Sequence, residues 1–193
     1  MSAPANISYG LYGAWRLAHG DRDGLNWLDD SLHGFWHSFR AAILVAPLYI
    51  VYVLLLAQET EAPFLGFLVL EAEAYVISWV LFPLVMYHMT GILGCRHHYL
   101  RHIVAYNWAQ VLQNALYLPI VILAGFGILP ADLAAMLSLI ALGIVLFYSG
   151  FIAYAALEVP LTTAVGVVIL DLVLSVVINT IIDITARSPV PIQ

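Results

Sequence analysis

The chain is 193 residues long, 63% hydrophobic and only 9% charged, with a mean hydropathy of +0.96 and a formal net charge of -6 at pH 7. A soluble domain carries about 25% charged residues, so this composition excludes one and points to an integral membrane protein. The acids are scattered and form no run, which speaks against nucleic acid as a ligand, and the single cysteine, Cys95, excludes an internal disulfide and lies in no CxxC pattern.

In chain order, MSAPANISYGLYGAWRLAHGDRDG has neither the short apolar core nor the small-residue cleavage site of a signal peptide, and is expected to stay on the mature protein. WLDDSLHGFWHSFR repeats Trp27, Leu28, Leu32, Phe35, Trp36 and Phe39 at helical spacing, with Asp29, Asp30, His33 and His37 between them. That is the pattern of a helix lying in the membrane interface. Residues 9–19 carry a similar pattern, and DRDG at 21–24 reads as the turn between the two. Residues 1–38 are therefore expected to form a cytoplasmic, interfacial segment, acting as an anchor or as a docking helix for a partner.

A membrane helix needs about 20 mainly apolar residues. Five windows qualify, at residues 39–57, 64–93, 103–124, 131–157 and 161–184, separated by QETEAP, GCRHHYLR, GFGILPAD and EVP. The expected fold is thus all-α: a transmembrane bundle of five helices over 39–184, preceded by an interfacial amphipathic helix and followed by a short tail, 185–193. All six basic residues are arginine, a composition typical of a GC-rich bacterial genome. Arg16, Arg22 and Arg40 precede the first span, and Arg96 and Arg101 fall between the second and third. An even number of spans separates these regions, so positive residues predict both to be cytoplasmic and the C-terminus periplasmic; only Arg187 disagrees.

The polar residues inside the spans are the candidate functional groups, because an acid at the centre of a membrane helix costs roughly 2.5 to 3.5 kcal/mol. Glu71 and Glu73, in LVLEAEAYVISW, point about 200° apart around a helix and so cannot serve one ligand as an acid pair. Either both are interfacial, or Glu71 faces a buried polar seam. In the third span Asn107, Gln110 and Asn114 lie within about 60° of one another, with Gln113 on the flank. In the fifth, Asp171, Ser175, Asn179 and Asp183 recur every four residues. These faces are expected to pack together, with Asp171 either a neutral hydrogen-bonding contact or a relay for a proton or cation. His33 and His37, and His98 and His102, are i,i+4 pairs at which two imidazoles share a metal only weakly in the absence of carboxylate or cysteine ligands. No metal and no cofactor is expected.

Pro47, Pro83 and Pro119 lie inside spans one to three, and the fourth span carries small residues, among them Ala134, Ser138, Gly143, Ser149 and Ala153, that allow close backbone approach. LFYSG at Ser149 and Gly150 lacks the preceding glycine of a nucleophile elbow, and the chain has no HExxH, no aspartate-rich diphosphate motif and no P-loop. No enzymatic activity is expected. The layout, an N-terminal segment, the aromatic stretch FWHSFRAAILVAP and five closely spaced spans, resembles the bacterial branch of the Ypt-interacting-protein (Yip) family over residues 35–184. The Asp-Leu-x-Gly-Pro motif of the eukaryotic branch is absent from WLDDSLHGFW, so GTPase binding does not carry over. The resemblance implies a non-enzymatic role in membrane organisation or partner recruitment. The expected function is a scaffold or accessory subunit of the inner membrane that binds lipids, other membrane proteins or a second copy. The alternative is a small transporter or channel built on Asp171 and the seam of the third span, with Glu71 accessory to it.

Overall fold

The computed structural model describes residues 6–60 and 63–187. Glu61 and the tail from 188 lie outside the described residues, as do the side chains of Asp183 and Arg187. The described chain is all-helical, with five helices long and apolar enough to cross a membrane.

Helix α1, Ile7–Ala18, is capped by Asn6, whose side chain accepts from the Ser8 amide at 3.0 Å. Gly10, Gly13, Ala14 and Leu17 recur at helical spacing and are all buried, while Tyr9, Tyr12 and Trp15 are exposed. That face of small residues lets other backbone come close. A 3-10 turn, Arg22–Trp27, folds back on it so tightly that a Cβ on Gly24 would lie 2.6 Å from the Gly13 carbonyl, and one on Gly13 2.8 Å from the Gly24 carbonyl. Trp108 covers Gly10, and the Tyr148 hydroxyl donates to the Ala14 carbonyl at 2.6 Å.

The interfacial helix expected over residues 27–39 is broken. Asp29 accepts from the Ser31 amide at 3.0 Å and Ser31 caps Gly34 at 3.1 Å, so helix α2 begins only at Leu32 and ends at Ser38. Asp29 and Ser31, each bonded to local backbone, outcompete helix propagation there. Through Phe39, α2 leads into α3, Arg40–Leu56, and the two form one apolar stretch, Leu32–Leu56. The amphipathic N-terminal helix is therefore α1, and the Trp36 region belongs to the first span.

The remaining spans are α4, Phe64–Ile92; α5, Tyr99–Gly125, entered through a 3-10 turn at Arg96–His98; α6, Ala131–Leu157; and α7, Leu161–Arg187. Helices α3, α4 and α5 run through Pro47, Pro83 and Pro119 without ending. Gly94 and Gly127 follow α4 and α5 with φ of 73° and 70°, the left-handed geometry in which glycine stops a helix.

Helix α5 is the hub, packed on α1, α2, α3 and α6. Every residue from 102 to 109 is buried, more than two turns without an exposed face, so α5 is enclosed on all sides at that level. The remaining spans close a ring: α3 on α5, α5 on α6, α6 on α7 and α7 on α4. Helix α4 meets α3 and α5 more sparsely, and a space opens there. The arginines before and after this region make their contacts at one end of the bundle: Arg22 lies over Tyr154 at 4.4 Å, Arg96 over Tyr87 at 3.8 Å, and Arg101 reaches the end of α6.

Candidate functional site

The space between α3, α4, α5 and α7 is a cavity of about 190 Å³. The helices present it with residues spaced for one face: Tyr106, Gln110 and Asn114 on α5, Asp171 and Ser175 on α7, and Tyr75, Ser78, Trp79 and Phe82 on α4. Asp171 lies midway along the apolar stretch Leu161–Ile182, so the cavity is at the level of the span centre. The Tyr106 hydroxyl donates to Asp171 Oδ1 at 2.9 Å, and the Tyr106 ring stacks on Phe82 with centroids 4.2 Å apart. Across the cavity, Tyr49 of α3 donates to Glu71 Oε2 at 2.8 Å and lies 4.6 Å, centroid to centroid, from Tyr75. Tyr75 in turn donates to the Ala42 carbonyl at 2.6 Å. Two tyrosines on the cavity wall thus each hold a carboxylate, one lining the space and one behind it. Among the described residues, no Arg, Lys or His lines the cavity.

The seam expected between the third and fifth spans divides. Gln110 and Asn114 share the cavity with Asp171, and Asn114 donates to the Gln110 carbonyl at 2.8 Å. Asn107 turns away from Asp171: it is fully buried and donates to Ser38 Oγ at 2.8 Å, tying α5 to the end of α2. Gln113 donates to Ser149 on α6 at 3.1 Å. A helical wheel gives direction without the number of neighbours, and α5 has neighbours on every side, so its broad amide face serves several contacts. On α7, Ser175 and Asn179 are both exposed; Ser175 donates to the Asp171 carbonyl at 3.0 Å and borders the cavity, whereas Asn179 lies outside it. A stripe of period four drifts about 40° per step, which carries Asn179 off the shared face. Glu71 is buried and Glu73 exposed, the opposite placement that a spacing of two requires.

The histidine pairs disperse. His33 and His37 have ring centroids 6.2 Å apart, and His37 lies 3.0 Å from an Arg40 nitrogen. His98 faces Glu158 at 3.4 Å, while His102 is buried beside Phe82 with neither ring nitrogen hydrogen-bonded. Among the described residues, no three His, Cys, Asp or Glu side chains gather around a point that would hold a metal. Beside His98, Arg101 donates twice to the Ala156 carbonyl, at 2.9 and 2.7 Å, and to Glu158 at 2.8 Å, so it caps the C-terminus of α6. That hydrogen bond, with the nearby charges of Arg101 and His98, holds the Glu158 carboxyl below its ordinary range.

Tyr106 is the site residue that reading for amides and acids missed. Its signal was present: His98, His102, Tyr106, Gln110 and Asn114 recur every four residues along α5. Tyr49 had no such signal, since only the fold brings it to Glu71, 22 residues away. The fold and site define a five-span, all-α protein of the membrane class with a polar cavity between its helices. No protein-family model, curated protein or solved structure matches the chain.

Proposed function

We propose that this chain is a small membrane carrier that admits a polar or cationic solute to Asp171, halfway across a bacterial inner membrane, with the N-terminus cytoplasmic and the C-terminus periplasmic. The cavity beside Asp171 carries the reading. A carboxylate serving only as packing glue needs partners and no adjoining space. Here Tyr106 takes one of about four acceptor positions of the carboxylate, and the cavity gives a solute access to others. Intramembrane acids beside a cavity mark solute and ion pathways in membrane proteins generally. The role that composition and the Yip-like layout favour, a scaffold, gives the cavity nothing to do. The arginines supply the orientation, by the preference of positive residues for the cytoplasmic side.

Accessibility tests the proposal. Ser175→Cys in a Cys95→Ser background, reconstituted in liposomes, is expected to react with a membrane-impermeant thiol reagent, because thiolate chemistry needs water. Val176→Cys, exposed on the adjoining face, is expected to stay unreactive in lipid. A Ser175→Cys protein as inert as Val176→Cys would return Asp171 to the role of packing contact and the chain to a scaffold.

A further inference from the structure

The wall of the cavity names a class of ligand. Among the described residues its only carboxylate is Asp171, and five of its lining residues are aromatic: Tyr49, Tyr75, Trp79, Phe82 and Tyr106. Tyr49, Tyr75 and Trp79 form a continuous aromatic side, with successive centroids 4.6 and 6.1 Å apart, and the stacked pair Phe82 and Tyr106 forms another. Aromatic rings attract cations through the negative potential of their faces, most strongly where water is excluded, and such enclosures recognise quaternary ammonium groups. Both Tyr49 and Tyr106 donate their phenolic protons to carboxylates, which makes each ring richer in electrons and a better host for a cation.

From these observations we infer that the cavity binds a small organic ammonium ion, its positive charge beside Asp171 and its alkyl groups against the rings; this rests on the carrier reading above and assigns its substrate class. The alternatives fit the wall less well. An anion would meet Asp171 without a basic side chain in the lining. A neutral apolar solute would use the rings and leave a carboxylate unpaired beside it. A bare inorganic cation is far smaller than a cavity of about 190 Å³, which has the volume of roughly six waters at ~30 Å³ each, and hard cations demand a close cage of oxygens where this wall is largely rings. A methylated ammonium fits within such a volume and needs only one counter-charge.

Three solutes of similar shape and different charge test it: tetramethylammonium, tert-butanol and trimethylacetate, added to the purified full chain in detergent at fixed ionic strength. A ligand that binds only the folded state raises the unfolding temperature with saturation. Tetramethylammonium is expected to do so, and to slow labelling of Ser175→Cys by a small neutral thiol reagent at least several-fold; the other two are expected to do neither. Asp171→Asn is expected to weaken the effect at least tenfold, and Trp79→Leu several-fold, so the conclusion survives if one variant fails to fold. Equal effects from all three solutes, or full tetramethylammonium protection in Asp171→Asn, would overturn the ammonium assignment. A reactive Ser175→Cys that tetramethylammonium does not protect defeats the assignment and leaves the carrier, whereas an unreactive one defeats both.

Discussion

Single side chains set the ends of this bundle. Glu158 has φ 55°, a left-handed conformation that a non-glycine residue adopts only when held, and Arg101 holds it while capping α6. The carboxyl is depressed in the folded state, so its contribution is complete above the ordinary pKa of 4.5 and disappears as pH falls through the folded value. Glu158→Gln is accordingly expected to lower the thermal midpoint in detergent at pH 7, by a deficit that shrinks as pH falls below 4.5. A deficit that persists unchanged in acid would show that the ion pair is not its source. This contact was hidden in the sequence, where EVP reads only as a break and Arg101 only as a topology signal. Asp171 was legible because a charge in an apolar helix stands out against its background, while its partner Tyr106 was legible only through its four-residue spacing with Gln110 and Asn114, because tyrosine by itself is ordinary there.

Whole helices were legible wherever a breaker coincides with a change in polarity. The bounds of α6 follow from Pro130 ahead of it and from Glu158 and Pro160 behind. Helix α5 begins at Tyr99, four residues before the apolar window at 103, because hydropathy marks contact with lipid and the first turns of α5 are instead wrapped by protein. The same reasoning misjudged α1. As a peripheral anchor it would be dispensable, yet Ala14 and Leu17 are buried at 0% and 1% exposure, and α1 covers Trp108 and Tyr148. Deleting the residues before Leu25 is expected to preserve insertion, since the spans retain their apolar signal, and to lower stability measurably. Leu17 alone contributes about 1.5 to 3 kcal/mol relative to a wet face, and the Tyr148 bond roughly 1 kcal/mol more. Gly13→Val, which wedges a side chain against the Gly24 carbonyl, is expected to act in the same direction; thermal unfolding in detergent measures both, and midpoints equal to the parent's would mean that α1 is not docked.

At the scale of the molecule, packing is uneven from end to end and side to side. The enclosed segment of α5 anchors the end where α1 docks, whereas only 6% of the residues in the most apolar window of α7 are buried. Cys95 shows why topology needs introduced reporters: it is buried, and burial pushes its thiol pKa up, so its failure to label would follow from either orientation. Exposed positions on opposite loops, Gln58→Cys and His97→Cys in a Cys95→Ser background, separate the two orientations. An impermeant reagent applied to spheroplasts is expected to label Gln58→Cys directly and His97→Cys only after lysis. The reverse pattern would invert the membrane orientation and overturn the inference from arginine.

The bond from Tyr148 to the Ala14 carbonyl joins positions 134 residues apart. A ribosome adds about 5–20 residues per second, so roughly 7 to 27 s of synthesis separate the appearance of Ala14 from that of its partner. Throughout that interval α1 exists without α6: the turn at Arg22–Trp27 is at hand from the start to cover Gly13 and Leu17, Trp108 follows for Gly10, and the Ala14 carbonyl waits for Tyr148. The bond between α1 and α6 is thus among the last contacts of the N-terminal segment to form, on an α1 that the 3-10 turn and α5 can already hold in place.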